Sequence, residues 1–264
     1  MPVHFDAIAP DNHESMAYSL MTKGLDSAED VIESKDGRIL HVIGYMYDSS
    51  KERIGKIVYT LLREEEGKEL SFLDIDLTLD GADAVELEFL KKLPQSSDAN
   101  EYYDVEAVAG GQHLQVETVN RNAVEEEITG TSRIVRCSAF PYQLSVFDDI
   151  DMLNESLGFI EKDQNGKIVS PSLAATFAAP GMGWTKDDED SSPYSVLVGT
   201  VRNVRDVHVD LGGQTQSFTV AQIETALGRT PVGMNREVFD LDKLAPGKAV
   251  IMNAYVKADF ATEQ

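Results

Sequence analysis

Apolar residues in this chain recur at every second position, and the runs are cut by glycine-bearing turns. A period of two is the signature of a β-strand with one covered face, and glycine supplies the positive φ that tight hairpin turns require. Ile75, Leu77 and Leu79 alternate with Asp74, Asp76, Thr78 and Asp80. This reads as a half-buried antiparallel strand with a carboxylate-rich outer face. Asp36-Gly37 separates two further apolar runs, Gly67, Gly110-Gly111 and Thr129-Gly130 are expected to turn further hairpins, and Asn165-Gly166 and Gly212-Gly213 mark more turns.

Helical spacing is rarer. Met16, Leu20 and Met21 place a helix over 14–23, stopped by Gly24. Val85, Phe89, Leu90 and Leu93 predict a second over 83–93, ended by Pro94. A short third, over 149–157, has an Asp-rich first turn suited to the helix dipole and runs into Gly158. The expected class is therefore α+β and strand-dominated.

Between residues 170 and 193 the pattern breaks into small and turn-forming residues, then the charged run 186–193. This divides the chain into an acidic, hairpin-rich α+β domain (1–170), a linker (171–192) and a small domain (193–264). Five short strands are expected in the last part, with a glycine inside the first, which suggests an OB-like or similar small barrel. Within it, 218–227 is read as a strand, with a single helix as the alternative.

The chain holds 46 acidic and 23 basic residues, a net charge of −23. That charge favours solubility and repels phosphates and anionic membranes at long range, so nucleic acid is disfavoured as a partner. The excess is uneven. Residues 193–264 carry seven basic and eight acidic side chains, so nearly all of it lies in 1–192. The N-terminus lacks the basic start and apolar stretch of a signal peptide, and no apolar run is long enough for a membrane helix. A cytoplasmic protein with no membrane partner is expected. Cys137 is the one cysteine, which excludes an internal disulfide or a multi-cysteine zinc site; its strand context reads as a small buried hydrophobe.

No motif names a reaction or a cofactor. Asp74 to Gly81 has the look of a calcium loop but places Leu79 where the loop needs glycine and Val85 where it needs glutamate. The five histidines are scattered without metal-ligand spacing. The sharpest constellation is Asp206-Val207-His208-Val209-Asp210, which on a strand puts both carboxylates and the imidazole on one face. Such a face can hold a divalent metal or orient a base; a solvated strand face is the plainer reading. Trp184, the one tryptophan, lies in a glycine-rich loop and reads as a packing residue or a ligand- or partner-stacking ring.

The preferred functional reading is a non-enzymatic module that binds a protein or small-molecule partner. A metal-dependent hydrolase using Asp206, His208 and Asp210 is one rival. The other is single-strand nucleic-acid binding by the C-terminal part, through Arg202, Arg205 and Arg229 with Phe218 or Tyr255 as stacking rings.

Overall fold

In the computed structural model the described residues are 3–9, 13–25, 28–64, 70–94, 96, 101–121, 127–158, 176–181 and 194–260. Strands account for 63% of the structure and helix for 10%, so the chain is strand-dominated and its helical content is low. The turns expected at Gly67 and Asn165-Gly166, Trp184 and most of the expected linker lie outside the described residues.

Four strands form the smaller sheet in sequence order: β1 (Asp30–Glu33), β2 (Ile39–Tyr47), β3 (Arg53–Arg63) and β4 (Leu70–Leu79). The larger sheet has nine: β5 (Ala84–Lys92), β6 (Glu101–Ala107), β7 (Gln112–Thr118), β8 (Thr131–Phe147), β9 (Phe177–Pro180), β10 (Ser195–Leu211), β11 (Gln214–Thr225), β12 (Gly228–Met234) and β13 (Ala249–Phe260). Helices α1 (His13–Ser19) and α2 (Ile150–Ser156) fall where helical spacing places them. Met16 and Leu20 are buried, whereas Met21 is exposed. Asp149 caps α2 by accepting from the Met152 N–H.

Three expectations are corrected. Residues 84–92 form strand β5, not a helix: Val85, Leu87 and Phe89 are buried while Glu86 points out, a period of two that the added matches at Leu90 and Leu93 obscured. The Thr129-Gly130 turn does not join a hairpin of neighbouring strands. It leads into β8, whose antiparallel partners are β5 and β13. The first two of the five expected C-terminal strands are one, β10, with a bulge between Val201 and Asn203. The segment 218–227 lies in strand β11 and the turn after it.

The strand pairing also crosses the expected boundary of the C-terminal part. β10, β11, β12, β8 and β13 pair in a closed circuit, so β8 from the N-terminal side completes the ring. A second circuit, β8, β5, β6, β7 and β13, shares the same β8–β13 ribbon. One apolar cluster runs through both, from Leu87 and Tyr103 to Ile223 and Met252. Strands on either side of residues 171–192 thus share one sheet and one core. Along β13 the even-numbered residues from Val250 to Phe260 face that core, and the odd-numbered ones face away from it.

Candidate functional site

The outward face of β13 changes character along its length. Ile251 and Asn253 come first, then Tyr255, then Lys257 and Asp259. The smaller sheet covers the Lys257 end. Here β4 is covered on both faces: Ile75, Leu77 and Leu79 enter an apolar cluster with Phe140, Val207 and Phe218, while Asp74 and Asp76 on its other face are also buried. The carboxylate-rich outer face expected from sequence is therefore an internal one.

Lys257 is 1% exposed, and its ammonium donates to Asp76 Oδ1 at 2.7 Å and to Glu117 Oε2. Strand register explains the meeting: Tyr102, Glu117, Lys257 and Ser138 lie in one row across β6, β7, β13 and β8. Carboxylate oxygens of Asp74, Asp76 and Glu117 all lie within 4.8 Å of one another, a grouping that suits a cation, and Lys257 Nζ brings one to it. Three carboxylates face one ammonium, so burial and the neighbouring Asp76 and Asp74 push the Glu117 carboxyl up although Lys257 opposes this. Lys257 itself is held above the ordinary lysine range, since its two carboxylate partners outweigh the cost of burial. A buried ammonium so held has no lone pair for nucleophilic or base chemistry. Lys56 repeats the theme nearby, reaching Asp259 at 2.7 Å. These pairs clasp the smaller sheet to the larger one.

The other end of the same face is open. Two rows cross β9, β10, β13 and β8: Phe177, Val198, Ile251 and Ser145, then Ala179, Val196, Asn253 and Gln143. With Leu157 at the end of α2 they line a cavity of about 440 Å³. Leu153 of α2 packs beside it against Val198 and Ala249. The next turn of the face carries three tyrosines. Tyr142 lies 4.9 Å from Tyr194 and 5.9 Å from Tyr255 between ring centroids. Gly181 leaves room for this cluster, because a Cβ there would sit 1.9 Å from the Tyr194 ring.

The sequence-singled residues lie elsewhere. Asp206, His208 and Asp210 do share an exposed face of β10, with Val207 and Val209 buried behind them. Each bonds to protein: Thr219 donates to Asp206 at 2.6 Å, Ser217 Oγ lies 2.7 Å from His208 Nδ1, and the Gly213 N–H donates to Asp210 at 2.6 Å. The Thr219 bond, with Arg236 nearby, holds Asp206 below the usual carboxylate range. Among the described residues the acidic group that converges is the one at Asp74, Asp76 and Glu117. Arg202 sits at the β10 bulge 3.7 Å from Glu224, Arg205 pairs with Glu52 at 2.8 Å, and Arg229 donates twice to Asp83. Phe218 is buried. Cys137 is buried in the core, and burial pushes its thiol up to about 12.

Sequence reasoning missed both the clasp and the cavity. The clasp joins residues up to 203 positions apart, beyond any local motif. The cavity's residues come from four strands and a helix end, and only their alternation was visible. No family model, curated protein or solved structure matches this chain.

Proposed function

We propose that this protein is a non-enzymatic binding module whose ligand is a small molecule held in the cavity floored by β8, β13, β10 and β9. The supporting observation is the cavity itself. Its volume falls within the roughly 300–1,000 Å³ typical of ligand pockets, and its lining is mostly apolar with a few grouped polar side chains. The buried clasp supports the same reading from the other side. Its ionisable groups are shut away from substrate and tied to one another, as a scaffold requires.

On this reading the ring containing β8 and β10–β13 is a small barrel-like unit of the OB kind, borrowing one strand from residues 1–170. The working location is the cytoplasm. The experiment is binding of the neutral dye Nile red to the full chain. One saturable site is expected, lost in Ala179→Trp, which fills the cavity from the short edge strand β9, with an unchanged far-UV spectrum. Saturable binding that survives Ala179→Trp, or no saturable binding at all, would remove this reading.

A further inference from the structure

Resting on that reading, we infer that the ligand is an elongated uncharged molecule with an apolar body and one end that both donates and accepts hydrogen bonds, such as a long-chain alcohol or primary amide. Among the described residues, none that lines the cavity is ionisable. A carboxylate or ammonium drawn in from water would lose its hydration and meet no counter-ion among them, a loss that apolar contacts do not replace. The chain's net charge of −23 adds long-range repulsion of anions.

The floor then sets the orientation. Phe177 and Ala179 of β9 and Val196 and Val198 of β10 make one side apolar, Ile251 of β13 extends it, and polar side chains gather toward β8 as Ser145, Asn253 and Gln143. Asn253 Nδ2 donates to Gln143 Oε1 at 2.6 Å. Each amide carries a carbonyl and an amino group. The bond between them therefore leaves one carbonyl and one amino group of the pair for a ligand to meet, and exchanging both amides reverses the partners but keeps the same pair of functions. A hydroxyl or primary amide satisfies a donor and an acceptor together. A carboxylate, which only accepts, satisfies one of them and sets its charge against the free carbonyl.

The test is competition against Nile red on the full chain near neutral pH, using decanol, decanamide, decanoate and decylamine. Decanol and decanamide should displace the dye at concentrations at least about tenfold below those needed for the two charged analogues. Decanoate should gain affinity as acid neutralises it. Gln143→Leu, at an exposed strand position, should lower the affinity for decanol relative to that for the dye about tenfold. Decanoate or decylamine competing as well as decanol, or a Gln143→Leu protein that holds decanol unchanged, would overturn the inference while leaving the binding reading intact. Loss of the Ala179→Trp effect on dye binding would instead remove the binding reading itself.

Discussion

Replacing Lys257 with methionine keeps much of the side chain's length and removes its charge, leaving Asp76 and Glu117 buried without their cation. Breaking a buried pair from one side costs about 3–5 kcal/mol, because the remaining charge cannot return to water. Denaturant titration of Lys257→Met should show a loss of that size, and adding Asp76→Asn should recover part of it. Two neighbouring groups give opposite pH slopes. Glu117 is protonated in folded and unfolded chains below its ordinary value of 4.5. As pH rises from there toward about 8, the unfolded chain releases a proton that the folded chain keeps, so stability falls through that window. His41 is buried against Thr60, and burial, with the Lys56 charge second, pushes its imidazole down to about 4. As pH falls from 6.5 to about 4 the unfolded chain takes up a proton that folded His41 refuses, so stability falls in that direction. Urea midpoints measured across pH should flatten on the alkaline side in Glu117→Gln and on the acid side in His41→Asn.

Among the elements, β10 carries the sharpest constraint. It pairs first with β13 and β9, then beyond its bulge chiefly with β11, and Gly199 lies at the crossover. A Cβ at Gly199 would stand 2.3 Å from the Glu224 carbonyl oxygen and 2.7 Å from Ile223 Cγ2. Gly199→Ala should therefore destabilise by about 1–3 kcal/mol, the usual cost of overfilling a packed site, and thermal melts would read it. The interior glycine was visible in the sequence, but its cause was not, because the backbone that crowds it arrives from β11. Strand β5 teaches a related lesson. Val85 and Phe89 fit helical and strand spacing alike, and pairing with β6 and β8 decided between them.

For the whole molecule, the shared β8–β13 ribbon makes two rings depend on one pair of strands. The full chain should unfold in a single transition, with calorimetric and van't Hoff enthalpies in agreement. A fragment of residues 193–264 lacks β8 and should show no native-like strand signal by circular dichroism. Two separable transitions, or a folded fragment, would show that residues 171–192 divide independent units after all.

From the sequence alone, most strands other than β5, most turns, the acidic balance and the burial of Cys137 were legible, since each follows from local alternation, local turn chemistry or composition. Alternation also declares that a strand has two different faces. It does not say what covers the second one, so Asp74 and Asp76 looked solvated until β7 and β13 were in place. Tertiary structure alone decided that Lys257 meets Asp76 and Glu117, that β8 closes the C-terminal ring, and that the smaller sheet covers one end of β13's outward face and leaves the other open. Such outcomes depend on sheet order and on apolar surface buried across the whole chain, quantities that no local window of residues contains.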